Sequence, residues 1–231
     1  ALEIRQSCFI GVVRVVSESA QGKIRMRVTL RPTGNNDLEV ARTHGAINLI
    51  TRAGYDAGLD TGAMLSTVSC DIDDTDTSAS LYDKLAILGP KALLAALADL
   101  TALQQQAQTQ DDSKANYADK LHKDEALLDF NKSASALQRE IRAFNPWPVS
   151  YITLAQGSIK VWQAKAEDGN SDKAAGTVLS ADKHGIRIAC ANGTLLITQL
   201  QPPGKKAMAA ADFLNGRADW LSPGTIIGRA V

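Results

Sequence analysis

A carboxylate flanked by glycines is the group in this sequence best suited to chemistry. Asp60 lies between Gly58 and Gly62 in the segment Gly-Leu-Asp-Thr-Gly. Because glycine accepts φ > 0 and lets other groups approach the backbone, the segment predicts a tight, irregular loop. The carboxylate then has two interpretations: an acid–base group, or an Asx-turn in which it accepts a hydrogen bond from its own backbone. The elements around the loop must decide between them.

Metal-ligating residue types are present but scattered. They are Cys8, Cys70, Cys190, His44, His122 and His184. None of them forms a CxxC, HxH or HExxH pattern, so we predict no metal site. An odd number of separated cysteines also indicates reduced thiols, and hence a cytoplasmic protein.

The overall composition is that of an ordinary soluble protein. The chain has 231 residues, of which 45% are hydrophobic and 22% charged, with 25 basic and 25 acidic side chains. This length allows one or two domains. A balanced charge gives no overall field for nucleic acid, although a local basic patch remains possible. Since no apolar run reaches the roughly 18 residues of a membrane span, no membrane partner is expected.

The first 54 residues are β-rich and carry no recognisable motif. Residues 10–16 and 23–30 predict a hairpin, and residues 46–50 predict one more short strand. After the Asp60 loop, residues 64–70 predict another strand. Neither a GxGxxG nor a GKS/T phosphate loop occurs in this part of the chain.

Two helices and a linker are predicted next. The acidic run 71–76 is best explained as a solvated helix N-cap rather than a cation site, since it lacks the glycine and closing glutamate of a calcium loop. The first helix is expected to end at Gly89 and the second to begin at Pro90, where proline is well tolerated. Leucines at helical spacing in the second helix predict core packing. They are Leu93, Leu94, Leu97, Leu100 and Leu103. The Gln-rich stretch 104–112 predicts a domain boundary.

The last part of the chain predicts one helix followed by a small β domain. A Ser-rich start and a proline at 146 place the helix at residues 133–144. Five short strands follow, and they fit a partly open barrel of the oligonucleotide-binding (OB) type. The strands are 151–154, 159–164, 176–179, 185–190 and 194–198. A short helix is expected at 209–215.

Basic residues of this β domain form a candidate surface for a nucleic-acid backbone. The candidates for this role are Lys160, Arg187, Lys205, Lys206 and Arg217. Lys165, Lys183 and Arg229 could extend the same surface. The alternative interpretation is a set of isolated surface cations.

Several sequence phrases occur in an order that resembles the methionyl-tRNA formyltransferase family. They are Asp56-Ala-Gly-Leu-Asp60-Thr-Gly62, Leu81-Tyr-Asp-Lys-Leu85, Leu88-Gly-Pro90, Tyr117-Ala-Asp-Lys-Leu121, Ile141-Arg-Ala-Phe-Asn-Pro-Trp-Pro148, Lys160-Val-Trp162 and Pro203-Gly-Lys-Lys-Ala-Met208. The resemblance covers roughly residues 56–223. The phrase ending at Pro148 also occurs in formyltransferases that act on nucleotide sugars. The phrase ending at Met208 favours the tRNA enzyme.

This resemblance implies an α/β fold, with the C-terminal part of a Rossmann-like formyltransferase domain followed by an OB-like β-barrel domain. The implied boundaries are 55–105 for the end of the catalytic domain, 106–116 for a linker and 117–231 for the tRNA-binding domain, with 1–54 unassigned. The implied co-substrate is 10-formyltetrahydrofolate, the implied partner is initiator methionyl-tRNA, and a monomer is expected. By similarity, Asp60 is the catalytic aspartate, and Gly58 and Gly62 position its loop.

One part of the family pattern is missing. The family carries an Asn-x-His-x-Ser-Leu-Leu-Pro motif before the aspartate loop, and residues 1–54 contain no such motif. His44 and Asn48 stand in the wrong order, so the roles of the catalytic His and Asn are not transferred to them. A second hypothesis therefore stays open: a catalytically silent chain that retains an RNA-binding module.

Overall fold

The computed structural model of the protein describes residues 63–111, 113, 121–169 and 171–227 in full, together with the backbone of the strands that precede residue 63. The chain divides into two compact units, Ala1–Leu121 and His122–Val231. None of the described helices is both long and apolar enough to cross a lipid bilayer.

The strands of the first unit form one antiparallel sheet. They are β1 (Leu2–Gln6), β2 (Phe9–Glu18), β3 (Lys23–Pro32), β4 (Leu38–Thr43), β5 (Ala46–Ala53) and β6 (Ala63–Asp71). Each strand pairs with the next along the chain. The predicted hairpin is confirmed as the β2–β3 pair, and the two other predicted strands lie in β5 and β6. A Rossmann-like sheet is largely parallel, so this antiparallel order does not show the Rossmann-like part that the resemblance implies.

Helix α1 (Ser78–Ala98) begins at a capping box. The Thr77 hydroxyl oxygen accepts a hydrogen bond from the Ser80 N–H at 3.3 Å, and the Ser80 hydroxyl oxygen accepts one from the Thr77 N–H at 2.9 Å. These bonds satisfy backbone donors that a helix start leaves without intrahelical partners. The predicted N-cap after the acidic run is confirmed.

The predicted break of this helix at Gly89-Pro90 is wrong, because α1 continues through Pro90 to Ala98. Proline inside a helix leaves the carbonyl four residues earlier without its partner. That carbonyl belongs to Ala86, which is exposed, so water can bond it. A helix with a solvent-facing side can therefore keep a proline that local rules read as a helix start.

The predicted core packing of the leucines is also partly wrong. Helix α1 buries Leu81, Leu85, Ala92 and Ala96, whereas the side chains of Leu94 and Leu97 are 68% and 46% exposed. At about 100° per residue, Leu94 lies on the opposite side of the helix from Ala92. The small alanines thus form the buried stripe. Helix α2 (Leu100–Gln105) follows, and Gln108 then exchanges backbone hydrogen bonds with Met64 of β6 at 2.8 and 2.9 Å.

The second unit contains helices and strands in the predicted order. They are a 3₁₀ turn (Lys123–Ala126), α3 (Ala134–Ala143), β7 (Tyr151–Leu154), β8 (Gly157–Glu167), β9 (Val178–Asp182), β10 (Gly185–Ala189), β11 (Thr194–Gln201), β12 (Met208–Ala209), α4 (Ala210–Arg217) and a second 3₁₀ turn (Ala218–Leu221). The five predicted strands, the predicted helix before them and the short helix after them are confirmed.

The strands of this unit form an open sheet in the order β7-β8-β11-β10-β9, with β12 beside β11. All the named pairs are antiparallel. The register between β8 and β11 shifts near Trp162 and Thr198, and such bulges bend and twist a sheet. Among the described residues no pairing joins β7 to β9, so a closed OB-type barrel is not shown.

The core of the second unit lies between this sheet and helices α3 and α4. From the sheet, Ile186, Ile188, Leu195 and Ile197 are fully buried. The helices add Leu137 and Ile141 from α3 and Phe213 from α4, all of them fully buried as well. The Ser133 hydroxyl caps α3 by accepting a hydrogen bond from the Ala136 N–H.

The turn between β9 and β10 requires glycine. Gly185 has a φ of +139°, and a Cβ at this position would lie 2.5 Å from the backbone oxygen of Ile197. The Asp182 carboxylate accepts a hydrogen bond from the His184 N–H at 2.7 Å and closes the turn. The hairpin between β9 and β10 is therefore closed by a local bond.

Candidate functional site

The catalytic residues suggested by the sequence lie outside the described residues. Asp60, Gly58 and Gly62 all belong to the segment between β5 and β6 for which the structure gives no description. Their roles remain predictions. The candidate site that the structure does describe is the set of basic residues on the second unit.

Lys160 lies on β8, the strand next to the β7 edge of the sheet. In the antiparallel register it is opposite Tyr151 of β7 on one side and opposite Gln201 of β11 on the other. Directly opposed residues share one face of a sheet. The Lys160 side chain is exposed, and it makes no ion pair with any other residue that the structure describes.

Lys205 and Lys206 lie in the segment that connects β11 to β12. Residues 202–206, which we call the lysine loop, begin with a turn in which the Lys205 N–H donates to the Pro202 oxygen at 3.2 Å. Gly204 takes a φ of +68° within this turn. Both lysines are exposed, as predicted, and within the described part of the chain neither is paired with a carboxylate.

A chain of hydrogen bonds ties this loop to the sheet. The Trp162 Nε1–H donates to Gln201 Oε1 at 2.9 Å, and Gln201 Nε2 donates to the backbone oxygen of Lys205 at 2.7 Å. On the other side of Trp162, Asn145 Nδ2 donates to the Trp162 backbone oxygen at 3.3 Å. Because Gln201 is opposite Lys160 in the register, Lys160 lies beside the end of β11 from which the lysine loop continues.

Arg187 is placed differently, since carboxylates hold it. Its Nε and Nη2 donate to the two carboxylate oxygens of Glu167 at 2.8 and 3.1 Å, and its Nη1 lies 3.5 Å from Asp182 Oδ2. The hydrogen bonds to Glu167 raise the pKa of Arg187 further. The structure therefore does not group Arg187 with the unpaired lysines, because Glu167 and Asp182 neutralise its charge.

Arg217 packs against aromatic rings near the end of α4. Its guanidinium carbon lies 5.9 Å from the ring centroid of Phe213 and 5.7 Å from that of Trp220. The two rings meet edge to face, with centroids 5.9 Å apart. These are distances at which cations and aromatic rings attract each other. Arg217 is half-buried, and its described contacts are structural.

Three further basic residues were predicted to extend this surface. Lys165 and Lys183 are exposed, on β8 and in the β9–β10 turn. Arg229 lies outside the described residues. Lys160, Lys165, Lys183 and the lysine loop are thus exposed without ion pairs among the described residues, and of these Lys160 and the lysine loop are neighbours through the register of β8 and β11.

A cluster of charged residues at the start of α1 in the first unit does not offer a free group. Lys84 Nζ donates to Asp73 Oδ2 at 2.8 Å and to Asp76 Oδ2 at 2.6 Å. Burial acts to raise the pKa of Asp76, but hydrogen bonds from Lys84, from the Asp73 N–H and from Ser80 outweigh it and lower that pKa. Among the described residues, no three His, Cys, Asp or Glu side chains are grouped as a metal site would need.

Sequence reasoning missed Gln201 and did not assign a role to Trp162 or Asn145. Trp162 occurs in the phrase Lys160-Val-Trp162, and Asn145 precedes the Pro-Trp-Pro corner after α3. The signal that could have drawn attention to Trp162 is an indole close to Lys160 on a strand that otherwise alternates between polar and apolar residues. Nothing local indicates that its partner lies 39 residues further along the chain.

Comparison with known protein families finds a match that lies almost entirely in the second unit. Residues 120–218 match the family model described as formyl transferase, C-terminal domain. The matched range contains α3, the five strands from β7 to β11, the lysine loop and α4. The match is to formyl transferases in general rather than to the methionyl-tRNA enzyme in particular.

Solved structures with a similar fold include formyltransferases and HypX. HypX from Aquifex aeolicus in complex with tetrahydrofolic acid has a TM-score of 0.54 at 15% identity, and the similarity covers 74% of this chain and 30% of HypX. The N-formyltransferase from Helicobacter canadensis, in complex with folinic acid and dTDP-3-aminofucose, has a TM-score of 0.51 at 13% identity. This similarity covers 69% of this chain and 56% of that protein. The chain thus spans about a third to about half of the length of these proteins.

Proposed function

We propose that this chain belongs to an enzyme that transfers a formyl group from 10-formyltetrahydrofolate to the α-amino group of initiator methionyl-tRNA. The observation that carries the proposal is the match of residues 120–218 to the formyl transferase C-terminal domain. The ordered sequence phrases from Asp56 to Met208 support the tRNA enzyme within that class. We place the protein in the cytoplasm as a monomer.

The second unit is proposed to bind the tRNA. Lys160, Lys205 and Lys206 are exposed cations without carboxylate partners among the described residues, and they lie at one end of an antiparallel sheet. Such cations bind a phosphate backbone by releasing its counterions. We propose that the sheet works as an OB-like module, in which an open β surface follows a nucleic-acid strand.

Asp60 is proposed to assist the acyl transfer, with 10-formyltetrahydrofolate as donor and no metal. The neutral amine of methionyl-tRNA attacks the formyl carbon, which forms a new C–N bond and a tetrahedral oxyanion. Collapse of the oxyanion breaks the bond to N10 of the folate, and the proton lost by the amine is carried to that nitrogen. A carboxylate on a glycine-flanked loop can hold an imidazolium near the oxyanion or order the water that relays the proton.

A second candidate is a catalytically silent chain that keeps the RNA-binding unit. The observation that favours it is the absence from residues 1–54 of the Asn-x-His motif that supplies the family's imidazole and amide. In this case Asp60 would have no catalytic partner within this sequence. The binding surface of the second unit would be unchanged.

One experiment separates the two candidates. The purified 231-residue chain is incubated with 10-formyltetrahydrofolate and methionylated initiator tRNA, and formyl-methionyl-tRNA is measured on acid gels. Turnover by the wild type that falls by about 100-fold or more in Asp60→Asn supports the enzyme and its catalytic carboxylate. Salt-dependent tRNA binding without turnover supports the silent chain. Turnover that Asp60→Asn leaves unchanged would remove Asp60 from the mechanism.

A further inference from the structure

The amide of Gln201 can take only one orientation between its two partners. An indole N–H is always a donor and a backbone oxygen is always an acceptor. The Gln201 side chain must therefore present its oxygen to the Trp162 Nε1–H, at 2.9 Å, and its nitrogen to the backbone oxygen of Lys205, at 2.7 Å. The exchange of O and N that leaves many amide side chains ambiguous is excluded here by chemistry.

The bulge in β8 is what aims Trp162 at Gln201. The register runs from Gln163 opposite Gln199 to Val161 opposite Leu200, and it passes over Trp162. A residue left unpaired in this way has its side chain redirected relative to its neighbours. Asn145 holds the Trp162 backbone oxygen at the same point. The bulge thus places the Trp162 indole N–H within hydrogen-bonding distance of Gln201.

The lysine loop is anchored at its first residue, Pro202, which is buried. Residues 203–206 are exposed, so burial of apolar surface contributes little to the order of the two lysines. The backbone bond from Lys205 to Pro202 closes the turn but does not fix the turn to the sheet. Pro203 lies close to Gly157 of β8, since a Cβ added to Gly157 would be 3.2 Å from Pro203 Cγ. Ordering such a segment costs conformational entropy, which fixed hydrogen bonds must offset.

We propose that Gln201 is a positioning residue that holds the lysine loop beside Lys160, so that Lys205 and Lys206 meet the phosphates of an RNA ligand without first having to be ordered. Preorganisation of this kind raises affinity by lowering the ordering cost on binding. The presentation to RNA rests on the proposed function. The anchoring of the loop stands by itself on the hydrogen bonds.

The test compares matched substitutions in the full chain. Gln201→Met removes both bonds of the amide, Trp162→Phe removes the first, and Gln201→Glu keeps an acceptor for Trp162 but loses the donor to Lys205. Gln199→Met is the control, since Gln199 is a half-buried glutamine on the same strand for which no side-chain hydrogen bond is found in the described structure. Circular dichroism establishes that each variant is folded.

The first measurement is amide hydrogen exchange at Lys205, whose N–H is bonded to Pro202. Loss of the anchor is expected to speed this exchange by about fivefold or more in Gln201→Met and Gln201→Glu, with a smaller effect in Trp162→Phe. The control should match the wild type. Equal exchange at Lys205 in Gln201→Met and Gln199→Met would overturn the proposal.

The second measurement is the affinity for methionylated initiator tRNA, in a double-mutant cycle with Lys205→Ala plus Lys206→Ala. Gln201→Met is expected to weaken binding by about fivefold in the wild-type background and to have almost no effect once both lysines are absent. An equal loss in both backgrounds would mean that Gln201 does not act through the lysines. If the wild-type chain bound no tRNA, the proposed function would fail, and the exchange rates alone would decide whether Gln201 anchors the loop.

Discussion

Two basic regions of the second unit's sheet are in opposite states. On β10, Arg187 is held by Glu167 of β8 and Asp182 of β9. Where β8 is opposite the last residue of β11, Lys160 and the lysine loop have no carboxylate partners among the described residues. A cation already paired with carboxylates offers little to a phosphate, because binding must first break or share those bonds. Under the proposed function, the comparison favours Lys160 and the lysine loop over Arg187 as phosphate contacts on a protein whose net charge is zero.

The largest effect is expected from removing the unpaired cations of the loop. Lys205→Ala combined with Lys206→Ala should weaken tRNA binding by roughly 10- to 30-fold near physiological salt and reduce the slope of log K against log salt by about 1.5. Fluorescence anisotropy over a salt series measures both quantities. Because both side chains are exposed, the thermal unfolding midpoint should not change. An unaltered salt slope would show that the lysine loop makes no phosphate contact.

The opposite experiment releases the paired cation. Glu167→Gln combined with Asp182→Asn removes two negative charges and leaves the Arg187 guanidinium free, so tRNA affinity should rise by about fivefold. Arg187→Gln in the wild-type background is the matched control, and it should change affinity by less than about twofold. Affinity that stays constant in the double variant would mean that the ligand does not reach Arg187.

The next substitution tests whether Lys160 contributes to tRNA binding beside the lysine loop. Lys160→Ala should weaken tRNA binding by about threefold to fivefold, since one phosphate contact is lost. Lys165→Ala provides a comparison on the same strand, at an exposed position opposite Leu196 rather than opposite Gln201. If both substitutions gave the same loss in a binding titration, the site would extend along β8 instead of ending at the lysine loop.

The smallest effect concerns Asp76, the carboxylate that Lys84 pairs with in the first unit. Hydrogen bonds from Lys84, Asp73 and Ser80 lower the pKa of Asp76 despite its burial. A carboxyl whose pKa is lower in the folded state contributes stability above its unfolded pKa, and this contribution is lost as the pH falls through the lowered value. The free energy of unfolding in urea should therefore fall below about pH 4.

Asp76→Asn isolates this contribution. The variant should lose about 0.5–1 kcal/mol at neutral pH, a modest value because the partner Lys84 is partly exposed. Its stability should also change less with pH in the acidic range than that of the wild type. Parallel pH profiles for the two proteins would contradict the assignment.

Local signals predicted much of the second unit. Ser133 and the proline after residue 145 give both ends of α3, and the turn sequences around Gly157, Gly185 and Gly193 separate the strands correctly. These features depend on bonds between residues a few positions apart, so the sequence contains them directly. The first unit was less predictable because the continuity of α1 through Pro90 and the exposure of Leu94 depend on which side of the helix is covered.

In the candidate site, too, local features could be predicted from the sequence and pairings between distant residues could not. Lys205 and Lys206 were predicted as surface cations and both are exposed, although Pro202 of the same loop is buried. The pairing of Arg187 with Glu167 could not be predicted, since the partners are 20 residues apart and meet only when β8 and β10 lie on either side of β11. For the same reason, composition alone could not distinguish the neutralised arginine from the free lysines.

The sequence by itself determined the hairpins and caps of the second unit and the phrases that resemble the formyltransferases. Each of these is encoded by residues close together in the chain. The tertiary structure decided which cations are free, which side of α1 is buried, and that Trp162 reaches Gln201 to hold the Lys205 carbonyl. Those outcomes depend on strand register and on a single bulge, which bring distant residues within hydrogen-bonding distance.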